Sequence, residues 1–363
     1  MPKRVPVRAG LTSEAGIAYA GKDIKTVHWR TAEFYDVMAY LGERLIVDSA
    51  PMKPHVMRNP YRYQVLGAKT IVMNKEGYVQ HPEVHGLEPE EYPDFIADPH
   101  RCILETILPR LYEGLNQSPV QNALNLTKAY KVYKDQAMAL GADYAKIIDR
   151  FGYAKSVPGG FTEAPLDYVA DFIRSFSGVS KDMRRHPQEL MDAAEAVLPI
   201  LINQGLGPVR TIDARVFMPL HMAPFMNTKQ FEKFYWPTFK KIVEAFYAAG
   251  MGVDLFVEQD WMRYLDYLKE LPGPIVMRFE YGDPKIIKEK LGDKHIVSGL
   301  YPISILKTES KQACIDKAKE LVDILAPGGG YIFDIDKEVL SLGSVNMDNL
   351  IAVTNFVREY GVY

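Results

Sequence analysis

A chain of 363 residues, 47% hydrophobic and 25% charged, has room for one large α/β domain with an appendage and the composition of a folded globular protein. Its formal net charge of −3 excludes a global electrostatic footprint for nucleic acid; the one basic cluster, Lys181, Arg184 and Arg185, is broken by Asp182 and followed by His186-Pro187, as at a solvated helix end. Cys102 and Cys314 alone exclude a disulfide framework and any site of three or four thiolates, and no apolar run reaches bilayer length, so a soluble cytoplasmic protein with no membrane partner is expected.

In chain order, residues 1–95 are uneven, with scattered Pro and Gly and little strand signal. Phe34, Val37, Met38, Leu41 and Leu45 recur at helical spacing and predict a helix over Ala32–Ile46, while Tyr61–Tyr78, with the runs Tyr61–Leu66 and Thr70–Asn74 before Gly77, reads as a hairpin. From about residue 98 the texture becomes regular. Helices are expected around Pro99–Gly114, Ser118–Leu140, Ala164–Phe176 and Arg184–Gln204. Short apolar runs at Arg210–Met218, Gly252–Val257, Ile275–Phe279, His295–Leu300 and Tyr331–Asp334 then alternate with helical stretches at Lys229–Ala249, Trp261–Glu270, Pro284–Leu291 and Lys307–Leu325. Repeated strand-loop-helix units with buried strands indicate a parallel sheet, either closed into a barrel or open and doubly wound.

Several strands end in acids: Val257 leads to Glu258 and Asp260, Phe279 to Glu280, and Phe333 to Asp334 and Asp336. Parallel α/β folds gather such ends on one face, where ligands bind. A single acid there is more often a helix cap; Glu258, Glu280 and Asp334 together read as a site, with Asp260 beside them. Phe217–Met226 follows a strand and is rich in Met and aromatic residues, so His221, Met222, Phe256, Trp261 and Tyr301 are expected to wall a pocket for a flat aromatic substrate. The competing reading, that Met and aromatic clusters are plain core and His221 a structural hydrogen-bonded residue, is the commoner one. Gly328-Gly-Gly330 precedes a strand and lacks a following Lys-Ser/Thr, so it reads as a tight turn and not a phosphate loop.

An ordered set of short motifs adds to this reading. Gly299-Leu-Tyr-Pro302 with Leu306 is followed by Gly328-Gly-Gly-Tyr-Ile-Phe333, then Asn346-x-x-Asn349-Leu350, then Arg358-Glu-Tyr-Gly-Val-Tyr363. Upstream stand Glu163-Ala-Pro165 and Asp182-Met-Arg-Arg-His-Pro187. Taken in order, across residues 95–363, these resemble the uroporphyrinogen decarboxylase superfamily. The resemblance implies a (β/α)8 TIM barrel over residues 96–363, with residues 1–95 as an N-terminal extension or cap, and a homodimer as one open oligomeric state.

It also implies one of two activities: cofactor-free decarboxylation of a porphyrinogen, or methyl transfer to or from a corrinoid protein. The decarboxylases carry a basic N-terminal motif that Met52-Lys-Pro-His-Val-Met-Arg58 and Tyr61-Arg62-Tyr63 do not match. The zinc-dependent thiol methyltransferases carry His-x-Cys-Gly and a later Cys, where this chain has Phe256-Val-Glu258-Gln and Asp334-Ile-Asp336-Lys337. With the thiolate ligands absent, Glu258, His221 and Asp336 are the remaining metal candidates, zinc included.

The expected function is demethylation of a methyl ether, aryl or other, onto cobalamin carried by a separate corrinoid protein, with Glu258, Glu280 and Asp260 catalytic. A carboxylic acid at raised pKa, or a metal acting as Lewis acid, would assist the poor leaving group. The alternatives are decarboxylation of a carboxylated substrate and a non-catalytic protein that binds corrinoid or a small ligand.

Overall fold

The computed structural model describes residues 2–53, 60–155, 157 and 159–363. Pro54–Arg58 of the basic segment weighed above therefore lies outside the described residues. In the N-terminal region Phe34–Gly42 is a helix, burying Phe34, Val37, Met38 and Leu41 on its periodic face. The hairpin is shorter and later than the sequence suggests, pairing β1 (Val72–Met73) with β2 (Val79–Gln80). Tyr61–Leu66 instead belongs to a helix that starts at Pro60 and buries Tyr63. A short Tyr-x-Tyr run fits either period, and the proline at the first turn favours the helix.

The regular sheet is parallel, in the order β3 (Arg215–Leu220), β4 (Gly252–Val257), β5 (Val276–Phe279), β6 (Ile296–Tyr301) and β7 (Tyr331–Ile335). The helices between strands are set by local signals. Asp283 accepts from the N–H groups of Lys285 and Ile286 to start Pro284–Leu291, and Ser310 accepts from Ala313 N–H to start Lys311–Leu325. Pro119–Phe151, 33 residues long, runs from the Ser118 cap to Gly152, whose φ of 65° ends it.

Both edges of this sheet are continued by irregular segments. Arg8 N–H donates to Phe333 O and Phe333 N–H to Pro6 O, so residues 6–8 run parallel beside β7. Asp48 N–H then donates to Val7 O, and Ala154 N–H to Asp48 O. The segment that begins there reaches Gly160–Thr162, which brackets Phe217 of β3 with two hydrogen bonds. Among the described residues this gives eight strand positions, five regular and three irregular ones joined by one or two hydrogen bonds at each contact. Arg4 and Arg358 both grip Asp48, at 2.5 and 3.1 Å, where the irregular part is thinnest.

Alternation along the strands separates two environments. Val216, Met218, Leu220, Val253, Leu255 and Val257 are fully buried. The opposite face carries Arg215, Phe217, Asp254, Phe256, Arg278 and Asp334, with Arg8 from the neighbouring segment. Asp254 lies 3.8 Å from Arg8, and the Arg278 guanidinium sits 4.0 Å above the Phe256 ring. Burial pushes the Asp334 carboxyl up to about 6, and Arg278 and Arg8 hold it from rising further. Asp254 is raised for the same reason, against the pull of Arg8, Arg278 and Arg215.

These raised carboxyls make a prediction with a definite sign. A group whose folded pKa lies above its unfolded value stabilises fully below the unfolded pKa and loses that stability as pH rises through the folded one. Arg278→Met removes the cation that compensates Asp334, so the variant should lose on the order of 2–4 kcal/mol, near the low end for a broken buried pair. Urea unfolding at pH 8 and pH 5 should show the larger loss at pH 8; an equal loss at both would contradict the arrangement.

Candidate active site

The C-terminal ends of β3 and β4 bring His221 and Glu258 to the same rim, with His221 Nε2 3.5 Å from Glu258 Oε1. On the other side of the ring Asp171 Oδ2 meets His221 Nδ1 at 2.5 Å. Asp171 comes from the stretch after Thr162, where Glu163 leads into the helix Pro165–Tyr168 and its π-helical continuation Val169–Arg174. Glu163, Asp167 and Asp171 are spaced by four and lie along one side of this stretch.

Asp167 anchors the loop after β3. Its carboxylate accepts from Met222 N–H at 2.8 Å, His221 N–H at 3.1 Å and Tyr235 O–H at 2.6 Å. Burial pushes its pKa up to about 6, against the pull of the His221 charge and the Tyr235 hydrogen bond. Glu163 is 4% exposed, and its Oε2 has no hydrogen-bond partner among the described residues. Burial, then the charges of Asp171, Asp167 and Glu258, drive its pKa well above the carboxylate range despite His221. Burial and neighbouring negative charge thus both favour its protonated form. Burial opposes charge on His221, but hydrogen bonds to Asp171 and Glu258 outweigh it and push the imidazole up to about 12. His221 is therefore an imidazolium clasped by two carboxylates.

The other expected residues divide. Glu280 accepts from Gln259 N–H at 2.8 Å and pairs with Lys337, which also feels Asp336 and Glu258, so these groups share the rim with Glu258. Gln259 has a φ of 59°, a left-handed turn that lets the chain leave β4 directly after Glu258. Asp336 accepts from Ile303 and Lys337 N–H groups. Asp334 lies inside the ring, two residues before Asp336, against Arg278 and Arg8 rather than at the mouth. Asp260 is exposed and accepts from Met262 N–H, the helix-cap role. Phe256 is half-buried under Arg278. Trp261 is fully buried among Phe231, Tyr235 and Tyr264; Tyr301 is fully buried and donates to Cys314 O; Met222 is fully buried too. These three are core and line no pocket, because loops after parallel strands fold back onto the helical layer.

Glu163, Asp167, Asp171, Tyr235 and Lys337 join this cluster, and the reading of strand ends did not reach them. Their signal was present as acids at every fourth position in an otherwise apolar helical stretch. A metal fits poorly: both His221 nitrogens face carboxylates, both cysteines are buried elsewhere, and no group of three ligating side chains suited to a metal occurs among the described residues. The same engagement leaves His221 unavailable as a cobalt ligand.

A family model, uroporphyrinogen decarboxylase (URO-D), matches residues 117–360, two thirds of the chain. The chain belongs to the uroporphyrinogen decarboxylase family. Its (β/α)8 barrel accounts for the eight-position ring, and the site described above occupies the rim where barrel enzymes of this kind work. No curated protein matches the chain. No helix among the described residues is long and apolar enough to cross a membrane.

The three donors on Asp167 predict the effect of removing its charge. Asparagine presents an N–H where His221 N–H and Tyr235 O–H now donate, so Asp167→Asn should cost on the order of 1–3 kcal/mol. Because Asp167 titrates near 6 in the fold, the wild type should lose stability between pH 4 and 6, and the variant should show a flatter profile there. Parallel profiles by chemical denaturation would contradict the assignment.

Proposed function

We propose that this URO-D family member is the methyltransferase component of a corrinoid-dependent system, removing the methyl group of a methyl ether with a separate corrinoid protein as acceptor. The observation that carries this reading is Glu163, a carboxyl group buried in the same cluster as His221 and Glu258, with its Oε2 unpartnered among the described residues. When an ether loses its methyl group, the oxygen departs as a phenolate or alkoxide and needs a proton to leave well. Burial of Glu163 favours its protonated form, the form a buried general acid needs. His221 and Glu258, each a little over a quarter exposed, form the edge of the cluster that meets the substrate. Asp171 and Asp167 are positioning residues, fixing the imidazole ring and the backbone that carries it.

The acceptor, a reduced corrinoid brought by the partner, supplies the nucleophile that takes the methyl group. The rim offers apolar surface for such a partner: Phe225 and Tyr281, on the loops after β3 and β5, are 65% and 60% exposed. The charge balance of the rim also favours this reading over porphyrinogen decarboxylation. Among the described residues, Asp171, Glu258, Glu280 and Asp336 at the rim outnumber the cations His221 and Lys337 that they face, a balance that disfavours a polycarboxylate.

The test is to mix the purified protein with a reduced corrinoid protein and a panel of methoxyarenes and to follow methylcobalamin by absorbance. Glu163→Gln keeps the volume and neutrality of the protonated acid, so it should fold with nearly wild-type stability while turnover falls by about 10²–10⁴-fold. No methylcobalamin from any methyl ether, or formation of coproporphyrinogen from uroporphyrinogen, would defeat the proposal. Unchanged ligand binding with no turnover in the wild type would point to the non-catalytic alternative.

A further inference from the structure

The interior of a (β/α)8 barrel is ordinarily a packed core of branched side chains. Here the N-terminal half of the ring encloses a cavity of about 780 Å³, away from the rim that carries Glu163 and His221. Its wall includes Arg8 beside β7, Arg215 and Phe217 of β3, Asp254 of β4, and Gly159 and Gly160. The glycines let this part of the wall lie close against its neighbours: a Cβ on Gly159 would fall 1.8 Å from Arg215 O, and one on Gly160 would fall 1.7 Å from Gly205 O.

The charges on this wall are unevenly satisfied. Asp48 is already held by Arg4, Arg358 and the Val7 N–H, and Lys155 is paired with Asp149 at 2.9 Å. Arg8 and Arg215 are different. Their side chains make no hydrogen bond among the described residues; the nearest carboxylates are Asp254, 3.8 Å from Arg8, and Asp213, 3.9 Å from Arg215 and itself 70% exposed. The Arg215 Nε is buried and unpartnered. Each guanidinium offers five N–H donors in a planar fork suited to two oxygens of one anion. Lys53 adds a further cation to the same wall.

We infer that this cavity binds a small oxyanion, with Arg8 and Arg215 as its ligands. The occupant supplies the acceptors that the two guanidiniums lack, and Asp254, beside Arg8, sets the limit on how much negative charge enters. The site is independent of the methyl-transfer reading, since none of its residues belongs to the rim.

Inorganic phosphate is the probe, with acetate as the carboxylate arm and chloride at matched ionic strength as the reference. Phosphate, acetate or both should raise the melting temperature of the full chain above the chloride reference, and calorimetry should give one site per chain. Arg215→Met should weaken that binding on the order of tenfold or more, and Arg215→Lys, which keeps the charge and loses the fork, by a smaller factor. Glu163→Gln at the rim should leave it unchanged. Stabilisation no greater than that by chloride, or binding equally strong in both Arg215 variants and the wild type, would overturn the inference. If Arg215→Met does not fold, the wild-type titration and Arg215→Lys decide it by the same criteria.

Discussion

Four carboxyl groups share the surroundings of one imidazole, and they cannot all ionise there. Glu163, Asp167, Asp171 and Glu258 converge from two parts of the chain onto His221, and the low polarity of the site makes each additional negative charge expensive. The conflict is resolved by division of labour. Asp171 and Glu258 face the imidazolium, Asp167 is steadied by three donors, and the Glu163 carboxyl, whose Oε2 has no donor among the described residues, is pushed well above the carboxylate range. The acid is thus made by position rather than by any special residue type.

The rest of the barrel serves this crowding. Asp167 holds the loop after β3, the π-helical stretch brings Asp171 within 2.5 Å of His221, and the left-handed Gln259 releases the chain from β4 just past Glu258. Below the rim the inner wall is polar, with Asp334 and Arg278 in one layer and Asp254, Arg8 and Arg215 beneath. A ring with so many charges inside gives up the packing that usually holds a barrel together. Its stability rests instead on the fully buried outer faces of the strands and on Asp48, which ties both arginines and the first residues of the chain into the ring.

Much of this was legible in the sequence, and for physical reasons. β4 was bounded correctly because Val, Leu and Phe alternate between turn signals, and Pro284–Leu291 because Asp283 and Pro284 mark its start unambiguously. The strand positions at residues 6–8, 48, 154 and 160–162 left no trace, since each contact is made by one or two hydrogen bonds and has no apolar alternation to show. Of the rim, Glu258, Glu280, Asp336 and His221 were found because strand ends are a strong cue. Trp261 and Tyr301 were misplaced because size and aromaticity do not reveal which layer a loop residue joins. Glu163 was quoted only as part of a family motif; its meaning depends on Asp171, eight residues later, and Glu258, ninety-five later, which only the fold brings together.

The account rests on where that proton sits. Infrared spectroscopy of the wild type and Glu163→Gln, in isotope-exchange difference spectra across pH 5 to 8, reads the carbonyl stretch of a protonated carboxylic acid directly. A band that persists at pH 7 in the wild type and disappears in the variant is the expected result. A wild-type spectrum without it at pH 7, with Glu163 titrating like an ordinary glutamate, would contradict the central claim.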